Sequence, residues 1–491
     1  MAIPWLSCIP TAARWLWNKI RGRPTVQADR GAVAAGRDQT ISDSIITAQQ
    51  ALQRQIGTLV AASQHFHAPV TIINLSRYAH ELPDIALEGP PESYKEGERL
   101  QAAGDHAGAI AQYEKAFVAA REDYNRCVLH MRIARSFRDL NRRAEAEGHL
   151  LQALDLARRS GERKAEAFAL LDLGVANYAD GNSDRGEAYS REALETFRAL
   201  GHESGTAHVM TLLGLVYRRQ DRSDEAAQYL TQAIDTWQRL RDEKLQALCL
   251  YDLANVYRER GDPAALGEAE DLNKRALQIY ENLGDRKRQA ATLYNLALVY
   301  DSRTDPERAH KAEDCYLAAS ELYRADGDVP HHAQALNKAG RASSTRGDQP
   351  AALERCSHAL ALFEQAGHQK GTAEALANLG IIHLERARQA LDNLDATHPT
   401  PAQIQQLQEH AEEAHQHIVR SLALYQQLGD LPNEAFGTVV LSSALLLRQD
   451  LAGAKEKLRH AQELFSQAGD EPRARSLDDL IDSLDEDFTP P

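Results

Sequence analysis

Eight short turns recur along the chain at near-regular intervals, and they leave few folds open: Gly161-Glu162, Gly201-His202, Arg241-Asp242, Gly284-Asp285, Gly327-Asp328, Gly367-His368, Gly429-Asp430 and Gly469-Asp470. Their spacings are 40, 40, 43, 43, 40, 62 and 40 residues, so one unit repeats with two three-residue insertions and one long one. Self-similarity at such a period marks a solenoid. Each unit is a pair of helices that cannot bury its apolar face alone and must stack on its neighbours. Such a stack presents a long concave surface suited to binding, and it lengthens without adding separate cores, so the 491 residues measure surface rather than domain count.

Apolar residues make up 43% and charged residues 26%, the proportions of an ordinary folded chain rather than a disordered one. A net charge of −15 disfavours nucleic-acid phosphates as partners. The five cysteines, Cys8, Cys127, Cys249, Cys315 and Cys356, form no C-x-x-C pair and read as idle thiols in a reducing cytoplasm. No apolar run is long enough for a spanning helix, and the start lacks a secretory signal. Residues 1–25 nevertheless carry Trp5, Trp15 and Trp17 together with Arg14, Lys19, Arg21 and Arg23 and no acid. A cationic, Trp-rich amphipathic segment of this kind is expected either at a membrane interface or against a partner, a second copy of the chain included.

Residues 26–66 shift to small, glycine-punctuated and β-branched residues followed by a helical pattern, which predicts a small β element plus a helix. The run around Gly36-Arg37-Asp38 resembles short segments found ahead of nucleotidase-type or repeat domains in bacterial signalling and defence proteins. Residues 67–92, with Pro69, Pro83, Pro90 and Pro91, read as a linker. Repeats follow over 93–470. In each, a first helix (A) carries a small residue followed three positions later by an aromatic one, as in Leu213-Gly214 with Tyr217, Leu253-Ala254 with Tyr257 and Leu296-Ala297 with Tyr300. The second helix (B) places alanines seven apart on one face: Ala109 and Ala116, Ala146 and Ala153, Ala226 and Ala233, Ala352 and Ala359, Ala454 and Ala461.

That pattern resembles the tetratricopeptide repeat, in the form of about 40 residues seen in kinesin light chains and bacterial sensor and scaffold proteins. The resemblance implies an all-α superhelical solenoid of about nine repeats, preceded by the small N-terminal α/β extension. Asn177 and Ser343 depart from it at the tyrosine position and Gly186 at an alanine. Residues 386–411 interrupt the eighth repeat and are expected to lengthen its two helices around Pro399-Thr400-Pro401. Residues 471–491, with seven acids and two arginines, read as an acidic cap on the last repeat or as a tail able to occupy a basic groove.

The resemblance places helix A along the concave groove, so candidate peptide contacts follow: Arg132, Arg135, Arg138, Arg218, Tyr251, Asn255, Arg258, Tyr294, Asn295, Asn337, Lys338, Arg341 and Asn378. Asparagines can bond the backbone of an extended peptide and arginines its carboxylates, which favours an acidic or polar segment, unless these side chains are spent on acids such as Asp172, Asp252 and Glu259. No metal is expected: His410 and His415 are five apart, Glu412 and His415 form a single E-x-x-H, and His65, His67, His331 and His332 lack partners at ligand spacing. Gly367-His368-Gln369-Lys370-Gly371-Thr372 has its lysine before the second glycine and is no phosphate loop. The chain therefore reads as a non-enzymatic, cofactor-free scaffold or sensor for a protein or peptide, cytoplasmic or membrane-associated and of bacterial signalling or defence type. Two alternatives stay open: a membrane effector led by Trp5, Trp15 and Trp17, and a peptide-responsive regulator.

Overall fold

The computed structural model describes residues 91–486 apart from 303–305, 394–399 and 449, and contains nineteen α-helices and no strand among the described residues. The tryptophan segment, the expected β element and nearly all of the linker lie outside the described residues. Two compact units are present, divided between Val299 and Tyr300. The first holds α1 (Glu92–Ala102), α2 (His106–Ala119), α3 (Asp123–Asp139), α4 (Arg143–Ser160), α5 (Arg163–Ala179), α6 (Ser183–Ala199), α7 (Glu203–Arg219), α8 (Ser223–Leu240), α9 (Glu243–Arg260) and α10 (Pro263–Asn282). The boundary falls in α11 (Arg286–Asp301). The second holds α12 (Pro306–Ala325), α13 (Val329–Arg346), α14 (Gln349–Gln365), α15 (Gln369–Asp392), α16 (Pro401–Leu428), α17 (Leu431–Leu447), α18 (Leu451–Gln467) and α19 (Glu471–Glu486).

The recurrent two-residue turns work because one residue closes a helix and the next opens another. At the end of α8, Arg241 adopts φ 58°; its amide donates to the Gln238 carbonyl at 3.1 Å and the Asp242 amide to the Trp237 carbonyl at 3.0 Å. This paired arrangement satisfies the last carbonyls of the helix. The Asp242 carboxylate then accepts from the Leu245 amide at 2.9 Å and caps α9. In the Gly-His turns the imidazole takes the aspartate's place: His202 Nδ1 accepts from the Gly205 amide at 3.0 Å, and His368 Nδ1 from the Gly371 amide at 2.9 Å. Gly205 is needed for room, since a Cβ there would lie 2.5 Å from Phe197 Cδ1 and 2.8 Å from His202 Nδ1.

Helices pack on their sequence neighbours, and in addition α3, α5, α7 and α9 in the first unit approach one another in succession, as do α13, α15 and α17 in the second. These are the A helices, so within each unit they form the inner layer and the B helices the outer one. The A–B spacing is set by the small residues: a Cβ on Gly214 would fall 2.5 Å from Leu230 Cγ, and one on Gly340 2.5 Å from Cys356 Sγ. Ala226, Ala233, Ala352, Ala359, Ala454 and Ala461 are all fully buried on the B side, and Tyr217 of α7 is fully buried as well. Phe168, Phe197, Leu170 and Leu173 are likewise buried, each contributing about 1.5–3 kcal/mol by removal from water.

The insertions lengthen helices. Both 43-residue units have B helices of 20 residues (α10 and α12), where α6 has 17 and α8 has 18. The long insertion extends α15 to 24 residues and α16 to 28, the latter started by a reciprocal cap between Thr400 and Gln403. In α19, Ala474, Leu477 and Ile481 are buried with Ala461, Leu464 and Phe465 of α18. No helix among the described residues is long and apolar enough to cross a membrane.

Candidate functional site

The polar residues singled out on the A helices form a ladder of side chains tied from one repeat to the next. On α3, Arg132 Nη2 lies 3.3 Å from Glu98 Oε1 of α1, while Arg135 Nε and Nη2 both donate at 3.2 Å to Asp172 Oδ2 of α5. The Arg135–Asp172 pair is almost wholly buried, with side-chain exposures of 5% and 3%. Arg138, one turn further along α3, has no carboxylate partner among the described residues, and its Nε is buried without a hydrogen-bond partner.

A second cluster joins α7 to α9. Arg218 Nη1 sits 3.8 Å from Asp252 Oδ1 and its Nε 3.8 Å from Glu259 Oε2, too far for hydrogen bonds. Asp252 is 0% exposed and neither of its oxygens has a hydrogen-bond partner. Burial raises its pKa to about 7; Arg218 opposes the rise and Glu259 adds to it. Asn255 donates to the Tyr251 carbonyl at 3.1 Å, accepts from Arg258 Nη2 at 3.4 Å, and Arg258 Nη2 lies 3.5 Å from Glu259 Oε1. The Nε of Arg258 is buried and unbonded.

Other members of the set face the packing between helices. Tyr294 is buried, and Asn295 donates to Asn273 of α10 at 3.0 Å in the interior. In the second unit Asn378 of α15 donates to Asn337 of α13 at 3.1 Å, and Arg341 pairs with Asp301. Burial, with Arg341 nearby, holds the Lys338 ammonium below its usual pKa. Where serine replaces tyrosine at 343, Arg355 enters, bonding Ser343 and Glu313, and Glu313 also accepts from Arg346 Nε at 2.9 Å. Trp5, Trp15 and Trp17 lie outside the described residues.

The structure thus gives Arg132, Arg135, Arg218 and Arg341 each a carboxylate on a neighbouring helix. Asp172 and Asp252 could be anticipated from sequence; Glu98 and Asp301 were not, although their separations from Arg132 and Arg341, 34 and 40 residues, approximate one repeat. An acid one period from a basic A-helix residue was the available signal. Sequence spacing also missed a third cluster, in which His383 of α15 meets His410 and Glu413 of α16. Burial lowers the His383 pKa to about 4, the neighbouring His417, His410 and Arg386 acting in the same direction and Glu413 against it. The buried thiols of Cys127 and Cys356 are pushed up to about 12 by burial, so they stay protonated and are poor nucleophiles. Along this layer of helices, the Nε atoms of Arg138 and Arg258 and both oxygens of Asp252 are buried without hydrogen-bond partners.

The family described as tetratricopeptide repeat matches residues 165–239 and 205–265. Among solved structures, a signal-transduction ATPase with a tetratricopeptide repeat sensor from Pyrococcus horikoshii is 13% identical with a TM-score of 0.50, covering 82% of this chain and 56% of that one, which shows the shared fold. The apo quorum sensor NprR from B. thuringiensis is 12% identical with a TM-score of 0.45, covering 80% of this chain and 97% of that one. BtubC from P. vanneervenii is 20% identical with a TM-score of 0.40, covering 45% of this chain and 91% of that one. No curated protein matches the chain.

Proposed function

We propose that this chain, which the tetratricopeptide-repeat family matches over residues 165–239 and 205–265, is a non-enzymatic scaffold or sensor that captures a protein or peptide segment on the A-helix layer of residues 91–299. The observation that carries this reading is the polar face of the A helices there, where Arg132 and Arg218 keep side-chain exposures of 17% and 21% and Arg138 and Tyr251 are half-buried. The carbonyls or side-chain carboxylates of a peptide accept from these guanidinium groups.

Because Arg132, Arg135, Arg218 and Arg258 already face carboxylates, selectivity for acidic segments rests on Arg138 rather than on the whole basic set. The test compares the full chain with an Arg138→Ala variant, first in capturing a partner from the native cell and then in a titration of that purified partner. Loss of capture with unchanged helical circular dichroism is the expected result. Equal affinity of the two proteins for the same partner would sink this assignment of the surface.

A further inference from the structure

We propose that His383, His410 and Glu413 form a binding site for one divalent transition-metal ion, Zn2+ in chemical class, which clamps α15 to α16 within the long eighth helix pair. One ligand atom from each of the three residues lies within 4.8 Å of the others. Glu413 Oε2 is 2.8 Å from His383 Nδ1 and 3.3 Å from His410 Nδ1. Ligands held about 2.0–2.1 Å from a tetrahedral ion stand about 3.3 Å apart, so the observed separations need only small side-chain adjustment.

Two further features set this cluster apart from an ordinary surface ion pair. His383 is only 7% exposed, and its Nδ1, although close to Glu413, is not aligned for a hydrogen bond and has no other partner. A buried nitrogen with its valence open toward a carboxylate and a second imidazole is what a ligand awaiting a cation presents. The backbone brings these groups together for a clear reason. His410, Glu413 and His417 are at i, i+3 and i+7, one face of α16. On α15, Gly380 precedes His383 by three residues, and its missing Cβ, which would lie 2.5 Å from Ile418 Cγ1, allows close approach of the two helices.

The His417 ring stacks on His383 with centroids 5.5 Å apart and acts as a positioning residue. Glu413 is half exposed, which leaves an entry path and a coordination position for water. Arg386 and Arg420 are the neighbouring cations that oppose a second positive charge, and Glu413 offsets them. His415, the residue of the sequence-level E-x-x-H, is not one of the three clustered ligands; Glu412 instead pairs with Arg448 at 3.2 Å.

The untagged full chain is titrated with Zn2+ by calorimetry and with Co2+ by visible absorption. The expected result is one ion per chain, tetrahedral or five-coordinate Co2+ bands without thiolate charge transfer, and a raised thermal midpoint. Affinity falls by more than about tenfold in His383→Gln and in Glu413→Gln. His460→Gln, elsewhere on the chain, leaves it unchanged. Glu413 is exposed enough for its variant to fold, so a misfolded His383→Gln protein would not stall the test. Absence of binding overturns the proposal, as does binding that survives both Glu413→Gln and His410→Gln, which would mark scattered surface histidines.

Discussion

Replacing Asp252 with asparagine should flatten the pH dependence of stability between about pH 4 and pH 8. The carboxyl is fully buried, its oxygens lack hydrogen-bond partners, and the nearest arginine nitrogen stands 3.8 Å away. Its pKa rises from 3.8 to about 7 on folding. An acid raised in this way holds its proton longer in the native chain than in the unfolded one. Its favourable contribution is therefore complete below pH 3.8 and is lost progressively as the pH climbs through about 7. A shift of about three units at about 1.36 kcal/mol each corresponds to as much as about 4 kcal/mol over the whole window. Asparagine keeps the shape and cannot ionise, but it turns an amide toward Arg218, which adds a roughly constant cost. The change with pH is therefore the quantity to read, not the absolute stability.

Urea unfolding of both proteins, followed by far-ultraviolet circular dichroism at about pH 5 and about pH 8, gives that change directly provided the m-values agree. The wild-type chain should lose about 2–3 kcal/mol more than the variant between the two conditions. Parallel stability profiles would refute the reasoning, because they would mean that Asp252 ionises in the folded chain as easily as in the unfolded one.

Two other substitutions probe the same framework. Arg135→Met should destabilise the chain by about 3–5 kcal/mol by stranding the buried Asp172 charge, and adding Asp172→Leu should recover much of the loss; additive losses in the double-mutant cycle would show that the pair is not coupled. Gly340→Ala should cost about 1–3 kcal/mol, since the new Cβ would meet Cys356 Sγ at 2.5 Å and the Ala352 carbonyl at 3.1 Å; an unchanged urea midpoint would show that α13 and α14 can separate freely.

The repeat architecture was legible in the sequence because its determinants are local. A left-handed residue at Arg241 or Gly284 and a capping Asp242 act across five residues or fewer, and the seven-residue spacing of Ala226 and Ala233 assigns a helix face before any partner is known. Gly214 could be read as a close-approach position for the same reason: only a missing Cβ lets the two helices of a repeat meet there. What tertiary structure alone decided is how the polar A-helix residues spend their charge. Arg135 finds Asp172, Arg218 faces Asp252, and Arg341 finds Asp301 across 37, 34 and 40 residues, and burial then moves the Asp252 pKa to about 7. His383 meets His410 and Glu413 in the same way. Turn and helix preferences are set by steric and hydrogen-bonding rules within a few residues. Ion pairing, desolvation and metal-ligand geometry depend on distances between helices, which exist only once the repeats have stacked.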